Sequence, residues 1–413
     1  MARMAENVAT TETTTSPAAT TRLPWLLVIV AFGSMLVFGF AENIKGTLIP
    51  PIREAFQVSY ADIGVMLFIG SFGYLSATFV GGLAGDRYGQ KRVIGAGFIL
   101  ILLSGFGMLM ANSFSLVCLF MYTLNAGFGC QEVGVNSLGA RIFVRNSALM
   151  MNLTHFFYGV GSMVGPEYAA RMLLGGRAWG EVYAIACCAV IIVFVILVVA
   201  KFPVATDHHS NRKLAVSAIA RDKKVWLFIG VLGLMVVVEL GTGNWLISYL
   251  RGAYGMSTEE SARYLSLFFV FFTLGRLFGG YIVERVGYVK TVFSFGVMIL
   301  LLDVGAFALG RSAVFLFSLT GFCVSIMYPT FMALIMKEFR VGTGSVMGFV
   351  ITAVAGVNML MNWVVGQTAE ILGVTAGFSS FMLYLVIALG LLLLLNRRLT
   401  FNKPLPIAPS HKG

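Results

Sequence analysis

Gly82-Leu83-Ala84-Gly85-Asp86-Arg87-Tyr88-Gly89-Gln90-Lys91-Arg92 is a short charged loop set between long apolar runs. A second copy, Gly280-Tyr281-Ile282-Val283-Glu284-Arg285-Val286-Gly287, stands 198 residues later at every matching position (280 − 82, 284 − 86 and 287 − 89). Each copy follows the second apolar run of its half. The chain therefore reads as two parallel repeats, and everything else is placed relative to these two loops.

Working outward, runs of about twenty apolar residues, enough to cross a bilayer as helices, occupy 24–44, 59–83, 93–110, 114–140, 150–168 and 182–202. The polar stretch 203–224 follows. Six more runs occupy 225–250, 261–283, 289–309, 314–336, 344–367 and 376–395. The expected fold is an all-α membrane protein of twelve transmembrane helices in two six-helix pseudo-symmetric bundles. Strands are excluded because an open sheet edge cannot satisfy its backbone in hydrocarbon. The expected organisation is a disordered cytoplasmic tail at 1–23, bundles at 24–202 and 225–396, a cytoplasmic linker at 203–224 and a cytoplasmic tail at 397–413. The Ala/Thr-rich N-terminal tail lacks the apolar core of a cleaved signal.

Of 413 residues, 58% are hydrophobic and 11% charged, against about 25% charged in a soluble domain. The net charge of +11 sits in short loops, so it reads as membrane topology rather than as a nucleic-acid surface. With the N-terminus inside, 21 Lys and Arg fall on the cytoplasmic side and seven opposite. That threefold excess places both termini and the linker in the cytoplasm of a multi-pass cell-membrane protein. Cys118, Cys130, Cys187, Cys188 and Cys323 lie inside apolar runs without metal-ligand spacing and read as packing residues. Phosphate loops, metal ligands and placed nucleophile–base pairs are missing, so no enzyme, metal or cofactor is expected.

The loop Gly82-x-x-x-Asp86-Arg87-x-Gly89-x-Lys91-Arg92 resembles the signature between the second and third helices of the major facilitator superfamily. The resemblance covers the chain after Thr21 and implies a transporter. In this loop and its copy, Gly82, Asp86, Arg87, Gly89, Lys91, Arg92, Gly280, Glu284, Arg285 and Gly287 would form a cytoplasmic gate. Gly82 would let a helix end approach its neighbour, Gly89 would allow a tight turn, and Asp86 would pair with the basic residues. A narrower resemblance, to the fucose permease and glucose/mannose:proton symporter branch, rests on Gly127-Phe128-Gly129-Cys130-Gln131-Glu132, on 155–166 and on Glu239-Leu240-Gly241-Thr242-Gly243-Asn244-Trp245. In that branch a fourth-helix glutamate and a first-helix acid handle proton and sugar. Glu132 matches the first, and Glu42 matches the second as a different acid. Gly161-x-x-x-Gly165-Pro166 also resembles part of an antiporter signature, with Ala169-Ala170 where its second glycine pair would stand.

A carboxylate at mid-bilayer costs about 2.5–3.5 kcal/mol on insertion scales, so it needs a partner or water. Glu42, Glu132, Glu239, Arg276 and Asp303 are the charges in question. The resemblance implies that helices one, four, seven and ten line a central cavity, which makes Glu132, Glu239 and Glu42 the candidates for proton coupling. Glu42 is expected near the outer end of its span in a local pair with Lys45. Asp303 is expected to be structural, His155 a packing histidine, and Arg276 a cytoplasmic latch whose acid the sequence does not name. Amides and aromatics suit sugar hydroxyls and C–H faces. Asn125, Gln131, Asn136, Asn244, Trp245, Tyr328, Asn358, Asn362 and Trp363, with Gln367, supply that set. The expectation is a monomeric proton-coupled symporter of a small polar solute, a monosaccharide. The rival is a proton-driven exporter of drugs or amphipathic metabolites, favoured by 35 Phe, 21 Met and the partial antiporter element.

Overall fold

The computed structural model describes residues 25–143, 147–202, 216–339 and 343–399. Twelve long helices run through them: α1 Trp25–Phe56, α2 Tyr60–Tyr88, α3 Gln90–Leu109, α4 Phe114–Ile142, α5 Ser147–Leu174, α6 Trp179–Val199, α7 Lys223–Tyr254, α8 Thr258–Val286, α9 Tyr288–Leu309, α10 Phe315–Glu338, α11 Thr343–Leu372 and α12 Val374–Arg398. Eleven are long and apolar enough to cross a membrane. The remaining one, α5, has 28 residues and matches its neighbours in length. No strand occurs among the described residues. Most of the tail at 1–23, the linker and the C-terminal tail lie outside the described residues.

Helix starts follow the sequence. Ser59 and Asp62 form a reciprocal cap on α2, with the Ser59 N–H donating to Asp62 Oδ2 at 2.9 Å and the Asp62 N–H to Ser59 Oγ at 3.1 Å. Ser257 accepts the Glu260 N–H in the same way on α8. The two copies of the loop adopt one shape, with Gly89 at φ 87°, ψ 151° and Gly287 at φ 96°, ψ 149°. A side chain at either position would be strained, so the glycine turn is required there.

Helix α1 runs further than the apolar run suggests. Its first segment, Trp25–Asn43, continues past Ile44 as Lys45–Phe56, through Pro50 and Pro51. Hydropathy falls at Lys45, which is why the sequence places the end there. The extension moves Glu42 from a helix end to the middle of a long helix.

Small residues set the packing inside each half. A Cβ on Gly39 would stand 2.0 Å from Tyr158 O, and one on Gly161 2.0 Å from Leu36 O, so the α1 and α5 backbones touch. Contacts between α2 and α4 recur as α8 with α10, and those of α1 with α5 as α7 with α11, matching the repeat. Large apolar side chains on the outer helices face outward, among them Leu103, Ile192, Leu301 and Leu383. Between halves, α2 packs on α11, α5 on α8, and the Lys45–Phe56 segment on α7. The bundle has two faces, one holding the Gly89 and Gly287 turns and the other holding Arg251 at the end of α7. Close contacts between halves gather towards the Arg251 face. Gly46 meets Gly243, Gly64 meets Gly366, and Arg251 Nη2 stands 2.9 Å from Glu54 Oε1. Towards the Gly89 face, a Cβ at Gly82, Gly280, Gly348 or Gly356 would meet nothing within 4 Å.

Candidate functional site

The long helices bring the intramembrane charges to one place at mid-depth. On α1, Glu42 Oε2 accepts a hydrogen bond from Tyr158 Oη of α5 at 2.8 Å, and Glu42 Oε1 lies 4.0 Å from Lys45 Nζ. Beside it, Asn43 Nδ2 donates to Ser162 Oγ at 2.9 Å, and Ser162 in turn donates to Tyr158 O. Asn43 Nδ2 also donates to Tyr158 Oη at 3.4 Å, so Glu42 and Asn43 together hold the Tyr158 hydroxyl. On α4, Glu132 Oε2 accepts from Tyr74 Oη of α2. On α7, Glu239 Oε1 lies 4.0 Å from Arg276 Nη2 of α8.

Arg276 is the centre of the set. Its guanidinium lies 4.5 Å above the Phe272 ring and 5.8 Å from the Tyr158 ring, so aromatic faces from both halves hold it. It is within electrostatic reach of Glu132, Glu239, His155 and Tyr328. Its Nε is buried without a partner. The acid that the sequence does not name is thus found: the near partner of Arg276, well inside α8, is Glu239. Arg276 and Glu239 keep 18% and 15% side-chain exposure, and Glu42 keeps 17%. These charged groups are therefore not fully sealed among the helices.

The amide set is only partly gathered. Tyr328 of α10 faces the cluster. Asn136 lies one turn from Glu132 on the same face of α4, and its Oδ1 is buried without a partner. Asn244 Nδ2 donates to Asn362 Oδ1 at 3.3 Å, and Asn362 donates to Asn358 O, joining α7 to α11. Trp245 is buried, its ring 6.1 Å from that of Tyr60, and its Nε1 has no partner.

Three expected contacts lie elsewhere. Gln131 is fully buried on the α4 face that carries Phe128 stacked on Phe38, and its Nε2 and Oε1 have no partner. Asn125 donates to Met121 O of its own helix and packs against Gly70 of α2. Trp363 is 41% exposed on the stripe of α11 that carries Leu360. Adjacent residues on a helix point about 100° apart, so the place of Glu132 does not fix that of Gln131, nor the place of Asn362 that of Trp363.

Asp303 is buried on α9, within electrostatic reach of Tyr249 and away from the cluster. Among the gate residues, Lys91 Nζ donates to Val198 O and Ala200 O, capping the end of α6. Arg87 lies over the Tyr88 ring and Arg285 over the Tyr281 ring. Arg92 and Glu284 are exposed. The side chain of Asp86 lies outside the described residues. Gly82 and Gly280 have open space where a close helix approach is expected.

Tyr74, Asn43, Tyr158 and Ser162 belong to the site and are missing from the sequence reading. Each sits in an apolar run whose helical phase carries no hydrophobic face, so nothing marks the inward side.

A two-half helical bundle with a partly exposed charged cluster between the halves suits a membrane transporter. The profile of the Major Facilitator Superfamily matches residues 30–361, and the chain belongs to that family. It is 24% identical over 376 residues to the L-fucose-proton symporter of Escherichia coli (strain K12), covering 81% of this chain and 84% of that one. It is 24% identical over 371 residues to the glucose/galactose transporter of Brucella abortus biovar 1 (strain 9-941), covering 83% and 87%. Its fold is similar to the crystal structure of a D-xylose-proton symporter, with TM-score 0.74, 14% identity and coverage of 91% and 97%. The chain is a transporter and not an enzyme.

Proposed function

We propose that the chain is a proton-coupled symporter of a monosaccharide, working by alternating access between its two halves in the cell membrane, with both termini and the 203–224 linker cytoplasmic. The observation that carries this reading is the charge balance of the cluster. Glu42, Glu132 and Glu239 face two cations, Lys45 and Arg276. Ionised together they leave one negative charge over, and a bound proton neutralises it. Tyr74 and Tyr158 hold Glu132 and Glu42 in fixed orientations. Of the three, Glu132 has no cation of its own, so it is the proposed exchange site.

The sugar assignment is supported by relatives whose names give fucose, glucose and galactose as substrates. Asn136 and Tyr328 supply a free amide oxygen and a hydroxyl beside the carboxylates. The exporter reading loses part of its support, because Gly161 and Gly165 pack on the α1 backbone at Leu36 and Phe40. That contact explains both glycines by packing alone. The test is uptake into vesicles holding the purified protein, acid outside, across a panel of labelled sugars. Accumulation of a sugar only while the gradient lasts is the expected result. Extrusion of an amphipathic compound with no sugar uptake would replace this reading with the exporter.

A further inference from the structure

A second polar pocket lies at the Arg251 face, apart from the charge cluster. It has a volume of about 310 Å³ and is lined by Arg53, Glu54 and Tyr60 from one half and by Ser248, Arg251 and Gly252 from the other. Tyr60 forms a platform beneath the guanidinium of Arg53, 3.9 Å from the ring centroid. Stacking holds the plane of Arg53 but leaves its N–H groups to be satisfied. Its Nε is buried and has no partner. Across the pocket, Ser248 is 3% exposed, and its Oγ also lacks a partner. A helical serine can donate to the carbonyl four residues back, so this free hydroxyl is a second orphan in the same pocket. Arg251 is held by Glu54 at 2.9 Å and keeps further N–H groups. Glu370 lies beyond Tyr60, where its Oε2 accepts the Tyr60 N–H at 2.8 Å.

Native proteins leave few buried polar groups unsatisfied, and two orphans facing one pocket call for a partner there. A guanidinium nitrogen only donates, and a hydroxyl can donate. The lining carries two arginines and one glutamate, a net charge of +1. Converging donors with a residual positive charge select an acceptor-rich, negatively charged molecule. We propose that this pocket binds a small oxyanion of the sulfate, phosphate or carboxylate class, held by Arg53, Ser248 and Arg251. The site goes beyond the transported solute and stands whether or not the sugar reading holds. Because each half supplies part of the wall, the occupant bridges the two halves.

Thermal unfolding of the purified full-length chain in detergent tests the site, with sulfate compared with chloride at matched ionic strength. Sulfate should raise the Tm saturably and chloride should not, since a ligand of the folded state stabilises it in proportion to its occupancy. Ser248→Ala should weaken the apparent sulfate affinity by about tenfold, and Arg53→Lys, which keeps the charge but loses the planar donors, should do the same. A sulfate shift of equal affinity in both variants would assign it to general salt effects and overturn the site. So would the lack of any shift beyond that of chloride. Sodium acetate and phosphate in parallel arms distinguish a carboxylate from a tetrahedral oxyanion.

Discussion

Arg276 Nη2 stands 4.0 Å from Glu239 Oε1, on neighbouring helices of one half, while the Arg276 guanidinium is also faced by Tyr158 of the other half. One cation thus reports on both bundles, and its removal separates the roles around it.

Arg276→Gln leaves Glu239 in place without its cation. Truncating one partner of a buried ion pair typically costs about 3–5 kcal/mol when fully desolvated, and less here because both groups keep some exposure. Transport should fall more than about tenfold, with a lower Tm in detergent. The double variant Glu239→Gln/Arg276→Gln should recover much of the lost Tm. Equal Tm values for wild type and Arg276→Gln would show that the pair does not hold the fold.

Glu132→Gln mimics the neutral carboxyl and still offers an acceptor to Tyr74 Oη. The variant should bind and exchange substrate across the membrane, yet lose gradient-driven accumulation, because no proton can be released there. Gradient-driven uptake measured beside gradient-free exchange separates the two. Intact concentrative uptake would remove Glu132 from coupling and leave Glu239 as the remaining candidate.

Gly46→Ala places a Cβ 2.3 Å from Gly243 O on α7. Backbone cannot give way as a flexible side chain does, and overpacking of this kind costs about 1–3 kcal/mol. The Arg251 face should be propped open. A cysteine at position 248, buried in the parent chain, should label faster in the Gly46→Ala background. Unchanged labelling would mean that this contact does not close the face.

The basic-residue asymmetry predicts that a cysteine at Asn112 or Ser257 labels from outside intact cells and that one at Ser210 does not. Strong external labelling at Ser210 would invert the proposed orientation.

Much of the fold was legible, for a physical reason. In lipid the backbone must satisfy itself, so each long apolar run reads as a helix, and the 198-residue repeat relates the two halves. The glycine turns at 89 and 287 were equally legible, because only glycine takes their φ without strain. Glu42, Glu132 and Glu239 stood out because charge is rare inside a membrane span. What surrounds them did not. Tyr74, Tyr158 and Asn43 look like ordinary residues of apolar segments, and a helix surrounded by lipid and protein has no polar face to fix its rotation. For the same reason Gln131 and Trp363 read as site residues from their amide and aromatic chemistry, which does not say which way a helix turns them. The end of α1 was obscured by Lys45, a charge the helix absorbs by placing it near Glu42.

The glycine contacts between α1 and α7 and between α2 and α11 have a consequence for speed. Gly46 meets Gly243, and Gly64 meets Gly366, main chain to main chain. At these two contacts the helices part without any rotamer having to change, and water can follow as soon as they do. The bonds that cross the rim, from Arg251 to Glu54 and from the Tyr60 N–H to Glu370, sit where solvent readily replaces them. In the proposed cycle this joint therefore offers little friction, and turnover is timed by the charges at mid-depth instead of by the seal.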